Sequence, residues 1–335
     1  MNFNPNFKIA VFGELLLRVS TQTGHFINNS EGIAVYTGGS EANVASSLAC
    51  MGSETSYISC IPDNQLSRQA LESLAERGVN TDRCIVAGDR LGLYFLLSAN
   101  GLSKGEVVYD RKYSSFSQLQ PSTIDWDTLF EGHSWLHWTA LTPALNERMP
   151  IICEEALKAA KRMGLIISVD LNYRNKLWNY GKSPVEVMPQ FVDYCDVIMG
   201  NIWAAHTMLG TAIDQSLNRE TPQNIYVEQA SASAKEVFAR FPACKHLAYT
   251  FRFMDNPNHN LLYGTYHTKD GNYLSKTYET QDVVDRIGSG DAFMGGLIHA
   301  LINNKTAQEV IDIATSAGFK KLFVKGDLGD GSYEL

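Results

Sequence analysis

Several large functional classes are excluded by what the chain does not contain. Its six cysteines, Cys50, Cys60, Cys84, Cys153, Cys195 and Cys244, are scattered in apolar surroundings, with no C-x-x-C pair and no signal peptide ahead of them. They are expected to be reduced core residues of a cytoplasmic protein rather than a disulfide framework or a metal cage. The longest wholly apolar run, 93–97 with its neighbours, is far too short to cross a bilayer, so no membrane segment is predicted. No lysine-arginine cluster breaks the balance of 28 basic against 36 acidic residues. The formal charge of −8 argues against nucleic acid as the main partner. His133, His137, His206, His246 and His299 are isolated and lack metal-ligand spacing, and no serine-histidine-aspartate ordering stands out for hydrolase chemistry. A dinucleotide-dependent dehydrogenase would need Gly-x-Gly-x-x-Gly after the first strand, and Gly13-Glu14-Leu15 does not supply it.

What is present fits a large globular enzyme. With 335 residues and 44% hydrophobic content, the chain can bury the core of one big α/β domain carrying a small appendage. Residues 8–12 read as a strand ending in Gly13, and 15–17 as a second strand with Arg18 outward. Ser40 is placed to cap a helix over 40–51 that Gly52 stops. A strand over 55–61, a helix over 66–77 closed by Gly78 and a strand near 83–86 follow. Further along come a strand at 135–138, a helix at 145–163, and strands at 165–169, 196–199 and 247–250. This alternation predicts a doubly wound, mostly parallel sheet with helices on both faces and ligands beyond the carboxyl ends of its strands.

One segment breaks the pattern. Runs 91–98 and 106–111, joined by Asn100-Gly101-Leu102-Ser103-Lys104-Gly105, read as a hairpin. Together with 18–28 they predict a small β-sheet standing off the main domain, a lid built from about 14–37 and 91–115 inserted in a single domain over 1–335.

The segment Val284-Asp285-Arg286-Ile287-Gly288-Ser289-Gly290-Asp291-Ala292-Phe293 runs from a glycine-framed turn straight into an apolar helix-period stretch. Free amides and the positive end of a helix suit an anion, and a carboxylate at that point suggests a base taking a proton from a hydroxyl. Aspartate also answers a helix dipole, and Gly-x-Gly before a helix is often only a tight turn, so the turn alone does not decide.

Three more clusters bear on it: Thr37-Gly38-Gly39-Ser40-Glu41-Ala42-Asn43, Tyr109-Asp110-Arg111, and Ser168-Val169-Asp170-Leu171-Asn172-Tyr173-Arg174. With the C-terminal turn they resemble the ribokinase (PfkB) family of carbohydrate kinases. Gly13-Glu14-Leu15 with Arg18, Tyr109-x-Arg111, Asp170-x-Asn172-x-Arg174 and Gly326-Asp327 resemble its 2-keto-3-deoxygluconate kinases in particular. The resemblance implies ATP-dependent phosphorylation of a sugar-acid hydroxyl, giving the 6-phosphate of 2-keto-3-deoxygluconate or its C4 epimer. It implies ATP and Mg2+ as cofactors, leaves room for a monovalent cation, and suggests a homodimer paired through the lid.

By residue, the resemblance makes Asp291 the catalytic base and the amides of Gly288, Ser289 and Gly290 an anion hole. Gly39, Asn43, Tyr94, Tyr109, Arg111 and Asp327 would bind the sugar acid. Arg111 and Tyr109, two apart on a strand and so on one face, suit its carboxylate end. Asn172, Arg174, Thr250 and Arg252 would meet the nucleotide. Two departures bear on that last group. Where many members carry Asn-x-x-Glu, this chain has Asn201-Ile202-Trp203-Ala204, and the Thr-x-Gly-x-x-Gly loop is replaced by Thr250-Phe251-Arg252-Phe253-Met254-Asp255 with no glycine until Gly264. The metal ligands are therefore left unassigned. The alternative expectations are a kinase for another sugar of the fructose or ribose type, and a sugar-acid-binding relative without catalysis.

Overall fold

The computed structural model of the protein describes residues 7–30, 32–97 and 106–334. The expected hairpin connector at 100–105 lies outside them. The chain begins with β1 (Lys8–Phe12), β2 (Leu16–Ser20) and β3 (Ala34–Gly38), then α1 (Ser40–Cys50), β4 (Glu54–Ile58), β5 (Cys60–Ile61), α2 (Gln65–Ala75) and β6 (Ile85–Val86). β7 (Gly92–Leu96) and β8 (Val107–Asp110) form the expected antiparallel pair. The remainder is α3 (Trp126–Phe130), β9 (Trp135–Thr139), α4 (Met149–Arg162), β10 (Ile166–Asp170), α5 (Pro184–Val192), β11 (Val197–Gly200), α6 (Ile202–Leu209), α7 (Gln223–Arg240), β12 (His246–Phe253), β13 (Asn260–His267), β14 (Asn272–Leu274), β15 (Tyr278–Thr280), α8 (Ser289–Ile302) and α9 (Ala307–Lys320).

The main sheet runs in the order β14-β13-β12-β11-β10-β9-β1-β4, with β15 also pairing with β13. From β4 to β12 every pairing is parallel. Parallel strands buried on both faces read as unbroken apolar runs, as in Ile9–Phe12 and Val197–Met199. One face packs Phe12, Leu136, Trp138 and Ile198 against residues of α4, α5, α6 and α7. The other packs Ile9, Val11, Trp135 and Val197 against α1, α8 and α9. The antiparallel edge β13 to β15 was not anticipated. β12 and β13 are eight residues each and join through a short polar loop, a hairpin rather than a β-α-β unit. Among the described residues no helix is long and apolar enough to cross a membrane.

A separate four-stranded sheet, β3-β2-β7-β8, is built from the segments expected to form the lid, but its second N-terminal strand is 34–38 rather than part of 18–28. Its register places Tyr36, Arg18, Tyr94 and Tyr109 side by side on one face. Arg18 was expected outward and is instead 2% exposed, because that face is turned onto the main domain, where Asp285 and Asp327 receive its guanidinium. The expected Ser40 cap is corrected as well. Gly39 is the N-cap of α1 and no side chain caps it, since the Ser40 hydroxyl points to α8.

Candidate active site

The small sheet overhangs the carboxyl ends of β10, β11 and β12, and between them lies a cleft of about 490 Å³. Of the fourteen residues singled out from the sequence, Gly39, Asn43, Tyr94, Tyr109, Arg111, Asn172, Arg174, Thr250, Arg252, Gly288, Gly290, Asp291 and Asp327 line it. Ser289 does not. Its hydroxyl turns inward, donating to the Gly318 carbonyl at 2.7 Å and accepting from Arg252 at 2.9 Å, and its amide is engaged by the Arg286 carbonyl at 3.3 Å.

The centre of the cleft is the N-terminus of α8. Gly288 has φ +83°, and a Cβ there would stand 2.1 Å from the Asp327 carbonyl oxygen, so the turn admits only glycine in this setting. Among the described residues the amides of Gly290 and Asp291 have no partner, leaving the positive helix end open to an anion. The Asp291 carboxylate accepts the Ser40 hydroxyl at 2.5 Å and the Asn43 amide at 2.7 Å. Ser40 in turn accepts from the Asn172 side chain at 2.8 Å. α1, the segment after β10 and α8 are thus tied at one carboxylate. Burial raises the pKa of Asp291, and those hydrogen bonds oppose the shift without cancelling it. Asp170, at the end of β10, is pushed up to about 7 by burial and then by the charge of Asp291.

Cations gather on one side of this centre. Arg174 is exposed and donates to the Tyr173 carbonyl at 3.0 Å. Arg252 on β12 is lowered to about 10 by burial and by the neighbouring Arg286 and Arg174. Arg286, 4% exposed, donates to the His259 carbonyl at 2.6 Å, while its Nε and Nη1 have no partner. These three arginines have no carboxylate partner among the described residues, and Arg286, buried and with two nitrogens unpartnered, in particular calls for an anion. Thr250 donates to the Gly200 carbonyl at 3.3 Å. Asn201 lines the cleft and caps α6 by accepting the Ala204 amide at 2.8 Å, while Ala204, where a glutamate was sought, is buried at 3% exposure.

The small sheet supplies the other side. Tyr109 and Arg111 both reach the cleft as expected, but the Arg111 Nε is held by Glu14 at 2.6 Å, with Ser114 on the other carboxylate oxygen. Tyr94 donates to Asp327, which also faces the Arg18 Nε at 3.0 Å, while Arg18 forks onto Asp285 at 3.1 and 2.6 Å. Asp327 is pushed up to about 7, by burial against the pull of Arg18. It lines the cleft with its carboxylate already engaged.

The sequence reading missed the parts played by Ser40, Glu14, Asp170 and Arg286. Each lies inside a quoted motif, so position was legible. For Glu14 and Ser40 the neighbour each side chain meets, Arg111 and Asp291, lies more than 90 residues away, and Arg286 reaches His259 27 residues before it.

Residues 6–327 match the profile of the pfkB family of carbohydrate kinases. The chain is similar to a crystal structure of 2-dehydro-3-deoxygluconokinase from Thermotoga maritima, with a TM-score of 0.87 and 32% identity, covering 96% of this chain and 95% of that one. It is 26% identical over 323 residues to 2-dehydro-3-deoxygalactonokinase of Haloferax volcanii, covering 96% of this chain and 92% of the relative. A 2-dehydro-3-deoxygluconokinase of Bacillus subtilis is 25% identical over 303 residues, covering 89% and 83% respectively. A mostly parallel sheet wound on both faces, a small sheet over its carboxyl edge, and a profile match over nearly the whole length agree: the chain belongs to the pfkB family of carbohydrate kinases.

Proposed function

We propose that the protein transfers the terminal phosphoryl group of ATP to the terminal hydroxyl of a 2-keto-3-deoxy sugar acid, 2-keto-3-deoxygluconate or its C4 epimer, giving the 6-phosphate. The observation that carries this reading is Asp291, a buried carboxylate of raised pKa held by Ser40 and Asn43 at the open end of α8. A carboxylate so placed takes the proton of the attacking hydroxyl. The amides of Gly290 and Asp291 with the dipole of α8 stabilise charge on the transferring group. Arg174 and Arg252, with Asn172 beside them, face the nucleotide phosphates. Tyr109, Arg111 and Tyr94 meet the sugar acid, with Gly39 and Asn43 at its hydroxyls. The small sheet acts as the lid that excludes water.

At the nucleotide phosphates a magnesium ion would supply charge neutralisation for the transferring group. No cluster of three ligands exists among the described residues. Asp170, which like Asn201 lines the cleft and whose carboxylate accepts the Asn172 backbone amide at 2.9 Å, would be the ion's single protein ligand.

One observation favours a neutral ketose of the fructose type instead: Glu14 already neutralises Arg111. Against it, the terminal nitrogens of Arg111 have no hydrogen-bond partner among the described residues and remain able to fork onto a carboxylate. The outer face of the small sheet carries Val35 and Val108 at 55% and 41% exposure, which supports pairing with a second copy there. The deciding experiment is ADP release measured with a panel of keto-deoxy acids and neutral ketoses. Turnover with the acids alone supports this reading. Turnover with ketoses replaces the substrate class, and binding of the acids with no turnover leaves a non-catalytic relative.

A further inference from the structure

Directly behind the anion-binding turn lies a buried cation that the reaction above does not use. Lys321, just past α9, is 1% exposed, and its Nζ donates to the carbonyl oxygens of Val324 and Gly326 at 2.9 and 2.8 Å. It has no carboxylate partner within ion-pair distance among the described residues. Asp285 and Asp327 face it, but their oxygens are taken by Arg18, by Tyr94 and by the amides of Ile287 and Gly326. The lysine stem packs under the turn, since a Cβ on Gly288 would stand 3.2 Å from its Cε. Burial lowers its pKa to about 8 and the two aspartates resist the shift, so the group is charged at neutral pH.

An ammonium without a carboxylate is costly to bury, and carbonyl oxygens repay only part of that cost. Its surroundings are what an alkali ion prefers: carbonyl oxygens, nearby carboxylates and no water. A free monovalent cation placed between Val324 and Gly326 would collide with the lysine, so those residues do not fit one. We propose that Lys321 is a tethered monovalent cation, its ammonium filling the carbonyl-lined space behind the turn and holding the 324–329 loop against Gly288 and Asp327, so that the protein works without potassium. Its activity arm rests on the phosphoryl-transfer reading, and its stability arm does not.

The test compares thermal unfolding, ADP binding and initial rate in potassium, sodium and tetramethylammonium chloride at equal ionic strength. The wild-type protein is expected to show the same midpoint, affinity and rate in all three. A saturable, potassium-specific rise in any of them overturns the proposal. In Lys321→Met the emptied space should take an ion. ADP binding is expected to weaken roughly tenfold, the scale of one lost charge-assisted hydrogen bond. Potassium or ammonium, but not tetramethylammonium, should restore both affinity and unfolding midpoint. A folded Lys321→Met that binds ADP as the wild type does, or that no cation restores, overturns the proposal. If the variant does not fold, the wild-type comparison decides. If no sugar is phosphorylated, the unfolding and ADP measurements still read this inference while the functional reading fails alone.

Discussion

On the proposed reading, the single side chain of Asp291 must remain a base in a site that also holds phosphate. The raised pKa is the consequence, because burial disfavours the carboxylate more than Ser40 and Asn43 favour it. Asp291→Asn keeps the shape and the contact with Ser40. It should bind ADP and sugar acid nearly as the wild type does while turnover falls by about 10²- to 10⁴-fold, the usual worth of general base catalysis. Turnover within a factor of a few of wild type would remove Asp291 from the mechanism. Its neighbour Asp170 titrates in the same field, at about 7. The acid limb of the rate profile should therefore belong to the pair and extend above the ordinary carboxylate range. Asp170→Asn should leave one ionisation and move the limb to lower pH, as read from kcat/KM between pH 5 and 9. A limb unmoved by that change would mean that the two carboxylates do not sense each other.

Among the elements, the turn into α8 and the small sheet are the two that make the site, and both are held from behind. Gly288→Ala forces a left-handed residue to carry a Cβ against the Asp327 carbonyl. The 326–328 loop must then move, so the expected loss is about 1–3 kcal/mol of stability by chemical denaturation, together with weaker ADP binding. Unchanged stability would show that the loop yields freely. The same turn shows how far sequence carries at this scale. Gly288-Ser289-Gly290-Asp291 was legible as a glycine turn into a helix because glycine spacing and a helix start are local signals. That Ser289 turns away from the cleft was not, since its hydroxyl is claimed by Gly318 and Arg252, 29 and 37 residues distant. Arg18 failed for a related reason. Alternation assigns a face to a strand but does not say which face is inside when the strand belongs to a sheet that covers another domain surface. The hairpin 91–111 was legible from its interruption of the β-α alternation, whereas β13 to β15 carried no comparable break.

For the whole molecule, the same cleft leaves a mark on stability. Glu41, Asp170 and Asp327 are buried with values near 7, each raised by burial, and Asp291 is raised as well. A carboxyl raised above its unfolded value holds a proton in the folded state that the unfolded chain releases. Its contribution is complete at low pH and is lost as pH rises through about 7. The wholly or partly buried histidines act in the opposite sense: His137 and His246 are lowered to about 3 and 4, and His133, His267 and His299 are also lowered. They stay neutral when folded and charge when unfolded, so they cost stability below about 6.5 and nothing above it. Above pH 6.5 the histidines add nothing further, so stability should fall by at least about 1 kcal/mol between pH 6.5 and pH 8, since one pKa unit is worth about 1.4 kcal/mol. Calorimetric unfolding at pH 7 in buffers of different ionisation enthalpy should report protons released on unfolding. Glu41→Gln, in the first turn of α1 and off the cleft lining, should shrink that release. Stability that climbs steadily from pH 6.5 to 8, or protons taken up on unfolding at pH 7, would mean that these carboxyls are ionised at their ordinary values and that the cleft is wetter than its burial indicates.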